Sequence, residues 1–323
     1  MNYAILCNMK STIAIDIGAT RMRAASYTLK SPEPIAYNQI ATRSEGMPIE
    51  DRLANLIESV WPADYKVLSI AVACPGPMDP VNGIIILTPN IPEWKYFPLQ
   101  EYLNSRFNVP VAMNNDAALA AFGEWFFGAG KGCSDLIYLT ISTGIGGGII
   151  LNNQLYMGSA GFAAELGHTT VIHQGPLCSC GQTGHLEAIA SGPSIVRWVR
   201  SKLEDESLKE HFPEGELDAK LVSDAAENGN ELAIAAYERA GKYIGIAIAD
   251  LLHIFNIKTI IIGGGVSRAG DILFNPIRNS VYKSVISEVY LDGLQILPAA
   301  LGDDSGLMGA LVLSREIAPE QID

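Results

Sequence analysis

Four side chains in one short stretch, His168, Cys178, Cys180 and His185, have the types and spacing of metal ligands, H-x9-C-x-C-x4-H. Two thiolates and two imidazoles make up the donor set of a tetrahedral zinc, and four protein ligands leave no position open, so such a zinc would be structural. The alternative is two free thiols and two hydrogen-bonded histidines. His173 and Cys133 fit no such pattern. A second chemistry is offered by three glycine turns that end apolar runs: Asp16-Ile17-Gly18-Ala19-Thr20, Ser142 to Gly148, and Gly263-Gly264-Gly265. Turns with little side-chain bulk let backbone N–H groups close on a phosphate, although a single one is more often a plain hairpin. The dinucleotide fingerprint does not fit, because its third glycine falls on Ile149 or Arg268. The Walker loop fails at Trp125 and Gly132, and the serine-hydrolase elbow fails at Ala269. Asp116 opens an apolar run through Ala117, Leu119, Ala120 and Phe122, where a carboxylate either caps a helix or serves as a base.

The elements that must position these residues come in two similar sets. Thr12 to Ile17 and Met22 to Thr28 read as a strand, tight turn, strand unit; Leu136 to Ile141 and Gly148 to Leu151 repeat it across a turn at 142 to 147. A helix over Pro48 to Trp61, a buried strand Val67 to Ala73, a Pro-Gly-Pro turn at 75 to 77 and a helix over Leu99 to Phe107 follow the first unit. A short strand Val111 to Met113 feeds a helix from Asp116 to Phe127. The second set has helices over Pro193 to Glu206, Asp218 to Glu227 and Glu231 to Phe255, then a buried strand Thr259 to Ile262. Gly241 and Gly245 inside the longest helix predict a close backbone approach. Mixed strands and helices twice over indicate an α/β protein of two related domains with a cleft between them.

Composition narrows the partners. A chain of 323 residues with 48% hydrophobic content can bury a core in each of two domains, which excludes disorder and a disulfide mini-fold. Its 22 basic against 35 acidic residues give a net charge of −13, a field that repels nucleic acid and anionic membranes. Five cysteines, of which only Cys178 and Cys180 lie close together, suggest a reducing cytoplasm. The uncharged stretch 136 to 164 is interrupted by Gly144, Gly146, Gly147, Gly148, Asn152, Asn153 and Gln154, so it does not read as a membrane span. No export signal precedes the first strand, and Met1 and Met9 are both candidate starts.

The order strand-Asp16-x-Gly18-x-Thr20, Pro-Gly-Pro, Asn115-Asp116, then Thr143-Gly144-x-Gly146-Gly147-Gly148 resembles the sugar kinases of the actin-like ATPase superfamily. Ala164-Glu165-Leu166-Gly167-His168 and the run from Gly175 to Glu187, GPLCSCGQTGHLE, resemble the signature of the ROK family, named for repressor, open reading frame and kinase. The resemblance covers nearly the whole chain. It implies two actin-like (ribonuclease H-like) ATPase domains with an interdomain cleft, the first spanning 1–116 plus about 303–323, the second 117–302 with the zinc loop.

The implied activity is ATP-dependent phosphorylation of a hexose at its 6-hydroxyl, with glucose ahead of N-acetylmannosamine and other hexoses. Asp116 matches the general base, and Asn115, Glu165, His168 and Glu187 match sugar contacts, with Gly76 and Asn90 completing the pocket. Asp16 would hold the Mg²⁺ that accompanies ATP, with Gly18, Thr20, Thr143 and Gly144 beside the phosphates and Gly264 and Gly265 beside the adenosine. His185 stands where the family usually has a third cysteine in the zinc set. Gly302 to Leu307 resembles the start of a closing helix that packs back on the first domain. The resemblance also carries an expectation of a homodimer or higher homo-oligomer. The family's other branch, sugar-responsive repressors, needs a helix-turn-helix of several dozen residues ahead of the strand at Thr12.

Overall fold

The computed structural model describes residues 9–44, 46–88 and 91–319. Two compact units divide the chain: Met1–Gly132 with Leu155–Ala163 and Asp303–Asp323, and Cys133–Gln154 with Ala164–Gly302. The first contains β1 (Lys10–Ile17), β2 (Arg21–Thr28), β3 (Pro34–Ala41), β4 (Lys66–Cys74) and β7 (Val111–Asn115), ordered β3-β2-β1-β4-β7. A small hairpin, β5 (Met78–Asp79) and β6 (Ile84–Ile85), stands apart from that sheet. The second sheet runs β10 (Gln154–Leu155), β9 (Ile145–Leu151), β8 (Leu136–Ile141), β11 (Thr259–Gly263), β12 (Gln295–Pro298). In both, an antiparallel hairpin continues into a parallel pair of strands, so the same pattern is built twice.

The helices are α1 (Ile49–Ser59), α2 (Leu99–Phe107), α3 (Asp116–Phe126), α4 (Glu187–Ala190), α5 (Gly192–Lys202), α6 (Glu206–Lys209), α7 (Ala219–Glu227), α8 (Glu231–Phe255), α9 (Asp271–Ser284) and α10 (Ser305–Glu316). Strand β4, KVLSIAVAC, is buried along all but its first residue, as expected of a central parallel strand covered on both faces. Ile13, Ile15 and Ile17 of β1 meet Leu53, Ile57, Val72 and Trp94 in one core; Ile137, Leu139 and Ile141 of β8 meet Ile244, Ile248, Ile260 and Phe274 in the other. Gly241 and Gly245 do mark a close approach: a Cβ on either would stand 2.6 and 2.5 Å from Pro276 and Ser280 of α9. Helix α9 itself escaped the sequence reading, as did β3 and β12. Pro276 interrupts the helical pattern of α9, and β3 alternates between half-exposed and exposed positions at a sheet edge.

Two boundaries differ from expectation with consequences for the site. The turn after β8 is shorter than predicted: Ser142 donates to the Gly144 carbonyl at 2.9 Å, and Gly146, Gly147 and Gly148 already pair with Thr140, Leu139 and Tyr138 in the ladder. Helix α3 groups with the first unit because Gly309 of α10 lies directly on the Leu119 carbonyl. Among the described residues, no helix is long and apolar enough to cross a membrane.

Candidate functional site

In the first unit, three adjacent parallel strands end together, and Asp16 and Asn115, both singled out by type, lie at those ends. Asp16 of β1 pairs with Ala73 of β4, and Cys74 at the end of β4 pairs with Asn115 at the end of β7. The carboxyl ends of parallel strands in an α/β sheet are where ligands bind, because loops and helix N-termini converge there. Asn115 is the cap of α3, its side chain accepting from Ala117 N–H at 2.9 Å and Ala118 N–H at 3.3 Å. Asp116 therefore does not occupy the cap position itself. It is the first residue of the helix, and its Oδ1 accepts from Ala117 N–H at 2.7 Å. Gly76 lies against Asn115, and a Cβ there would come within 3.2 Å of the Asn115 amide nitrogen. Asn90 lies outside the described residues.

Asp16 is largely enclosed, and burial pushes its carboxyl above the usual range while the Arg23 guanidinium pulls it down. Arg23 stands opposite Asp16 in the β1–β2 ladder and reaches Oδ2 with Nε at 3.1 Å and Nη2 at 2.6 Å. The turn between them is closed by Gly18 N–H on the Arg21 carbonyl at 2.9 Å, and its backbone is tied to Thr42 through the carbonyls of Gly18 and Thr20. Cys74 is fully buried, and burial, then the charges of Asp116 and Asp16, push its thiol well up; it reads as an inert neighbour of both carboxylates.

In the second unit, the turns after β8 and β11 lie at the same end of their sheet, since Thr140 and Gly263 are partners in the ladder. Gly264 has a φ of +84°, and a Cβ there would fall 2.4 Å from the Ile141 carbonyl oxygen, so only glycine fits. Beside it Gly265 has open space where a side chain would stand. Gly144 is crossed by the Glu187 carboxylate, whose Oε2 accepts from Ile145 N–H at 3.0 Å. Glu187 Oε1 accepts from the Ser179 hydroxyl at 2.7 Å and the Cys178 thiol at 3.6 Å. Glu165 and His168 flank one turn of 3₁₀ rather than α-helix, where residues three apart eclipse on one side.

The four expected metal ligands come together. Pairing of Thr170 with His185 sets the two histidine rings 5.4 Å apart, and a tight turn at 178–181 closes with Gly181 N–H on the Cys178 carbonyl at 3.0 Å. All four ligand atoms lie within 4.8 Å of one another. His168 Nδ1 stands 3.6 Å from Cys178 Sγ, and His185 Nδ1 stands 3.2 Å from Cys180 Sγ. Ligand atoms around a tetrahedral zinc are separated by about 3.3–3.8 Å, so the donor set suits that ion and these two pairs stand close to its spacing. Burial pushes the Cys178 thiol up.

Sequence reasoning missed Arg23, Ser179 and Asp304. The hairpin register would have found Arg23, because closing the turn at 18–20 puts it across from Asp16.

This geometry has counterparts among known proteins. The ROK family profile matches residues 12–317. A glucokinase of Streptomyces coelicolor is 33% identical over 96% of this chain and 99% of its own length. A xylose repressor of Caldicellulosiruptor bescii is 33% identical over 76% of this chain, which covers 62% of the repressor. The crystal structure of a ROK family glucokinase from Streptomyces griseus, in complex with glucose and AMPPNP, superposes with a TM-score of 0.79 at 32% identity, covering 95% of this chain and 99% of that one. With the doubled sheet, the carboxylates at the strand ends and the His/Cys loop all present in one sequence, this chain belongs to the ROK family and has its two-domain actin-like ATPase fold.

Proposed function

We propose that this chain is an ATP-dependent sugar kinase that phosphorylates glucose at the 6-hydroxyl. The observation that carries the reading is the end-to-end match to a glucokinase, which spans 96% of this chain and 99% of the relative. In this reading Asp116 accepts the proton of the 6-hydroxyl as that oxygen attacks the γ-phosphorus; the new O–P bond forms as the bond to the β-phosphate oxygen breaks. The Ala117 N–H bond to Oδ1 fixes the rotamer of the base. Asn115, Gly76, Glu165, His168 and Glu187 hold the sugar, because a carboxylate can accept from two vicinal hydroxyls at once. The turns at Gly18 to Thr20, at Thr143 and Gly144, and at Gly264 and Gly265 receive the nucleotide. Magnesium supplied with ATP neutralises charge on the phosphates, and Asp16 is the residue that would hold it.

His168, Cys178, Cys180 and His185 hold a structural zinc, which keeps in order the loop from which Glu187 is suspended. The shared likeness to a xylose repressor, confined to 76% of this chain, makes a sugar-binding regulator the competing class. ATP consumption measured across glucose, mannose, fructose, galactose, N-acetylglucosamine and N-acetylmannosamine tests both. Glucose should give the highest kcat/KM. A higher value with N-acetylmannosamine would replace the substrate and keep the chemistry, whereas no sugar-dependent turnover with any hexose would overturn the kinase reading.

A further inference from the structure

Glu187 opens α4, and its backbone is held from several sides. Its carbonyl accepts from the Ser194 hydroxyl of α5 at 2.8 Å and from Ser191 N–H at 3.3 Å, while Leu186 before it and Ala188 after it are buried. What remains to be set is the orientation of the side chain. Two donors on different segments set it: Ile145 N–H at the start of β9 reaches Oε2 at 3.0 Å, and the Ser179 hydroxyl reaches Oε1 at 2.7 Å. Gly144 permits the first contact, since a Cβ there would stand 2.6 Å from Oε2. The Cys178 thiol lies 3.6 Å from Oε1, and a thiol is a weak donor, so Ser179 is the strong partner of that oxygen.

We propose that Ser179 is a positioning residue for the sugar, its hydroxyl holding the plane of the Glu187 carboxylate in the orientation that receives the sugar's hydroxyls. The inference rests on the reading of Glu187 as a sugar-holding residue. The direction of the effect follows from counting acceptor sites. A carboxylate offers about four, two on each oxygen, and Ser179 and Ile145 take one apiece. Each oxygen thus keeps a site for a sugar hydroxyl, and Ser179 does not compete with the substrate. Without Ser179 the carboxylate is pinned at Oε2 alone and turns about its last torsion, whose preference is broad. Binding must then order it, and affinity falls. Were Ser179 a competitor for Oε1, its removal would tighten binding instead. Ser179 is exposed, so shortening it to alanine removes the hydroxyl and little packing.

The test is glucose affinity, by isothermal titration calorimetry and as KM, for wild type, Ser179→Ala, Ser179→Thr, Glu187→Ala and the double alanine variant. The KM for ATP, zinc content by elemental analysis and a thermal melt are measured beside it. Ser179→Ala should raise Kd and KM for glucose about three- to tenfold, the worth of one hydrogen bond to a carboxylate, and leave the ATP KM, the zinc content and the melting temperature as in wild type. Ser179→Thr keeps a hydroxyl and should bind glucose within about twofold of wild type. In the Glu187→Ala background the loss of Ser179 should change nothing further, because it acts only through that carboxylate. Unchanged or tighter glucose binding by Ser179→Ala, an equal loss for ATP, a loss of zinc along with the glucose affinity, no recovery in Ser179→Thr, or an additive double variant would overturn the proposal. Failure of the reading beneath it looks different: Glu187→Ala would then bind glucose as wild type does, and the role of Ser179 would fall with that of Glu187.

Discussion

Asp116 carries the chemistry in this reading, and its neighbour carries the helix. Because Asn115 accepts from two N–H groups of α3, replacing Asp116 leaves the cap in place. Asp116→Asn should therefore fold as wild type does, keep the glucose KM within a few-fold, and lower kcat by ~10²-fold or more, since a base acts in the transition state. Steady-state kinetics beside a thermal melt checks this, and near wild-type turnover would remove Asp116 from the mechanism. Asn115→Ala should behave differently, losing about 1 kcal/mol of stability with the cap. At this scale the residue types were readable and their neighbours were not. Asp16 was visible as an acid at the mouth of a turn, but the guanidinium across the hairpin depends on a register that a list of residues does not display.

The loop from His168 to Glu187 is held by isolated bridges and short turns rather than by long helices or strands, so a metal at its four ligands would add directly to its order. Zinc would therefore contribute folding energy to it directly. Elemental analysis should find one zinc per chain; His185→Ala should lose it and His185→Cys should retain it. Removing the zinc should raise the glucose KM and lower the melting temperature together, because the Glu187 carboxylate hangs between this loop and the glycine turn at Ile145. A metal-free wild-type enzyme of full activity would contradict this. The spacing of the ligands was legible because they lie within 18 residues of one another. What the spacing did not display was the bond from Ser179 to Glu187, which joins the loop to the turn after β8.

For the molecule as a whole, the decisive contact is between a helix early in the chain and one late in it. A Cβ on Gly309 of α10 would stand 1.7 Å from the Leu119 carbonyl oxygen of α3, with backbone on both sides and no flexible side chain to yield. Gly309→Ala should destabilise the first unit by about 1–3 kcal/mol or more, as overpacking of a tight core does, and a denaturant titration should show an earlier transition. An unchanged midpoint would mean that the two helices separate at little cost. Ser314 of α10 reinforces the same return, its hydroxyl donating to Thr12 Oγ1 of β1 at 3.0 Å.

The sequence by itself determined the repeated strand, turn, strand pattern, the buried strands, the longest helix from Glu231 to Phe255, and the candidate ligands and acids. These rest on periodicity, turn chemistry and short spacings, all of which act between residues near in the chain. Only the tertiary structure decided that Asn115 rather than Asp116 caps α3, that Gly146 and Gly147 belong to a ladder rather than a turn, and that Arg23 holds Asp16 against Asp304. It also revealed α9, whose place is set by Gly241 and Gly245 on a helix before it in the chain. Each of these is a contact made in three dimensions, where register and close packing select among conformations that local preference leaves nearly equal in energy.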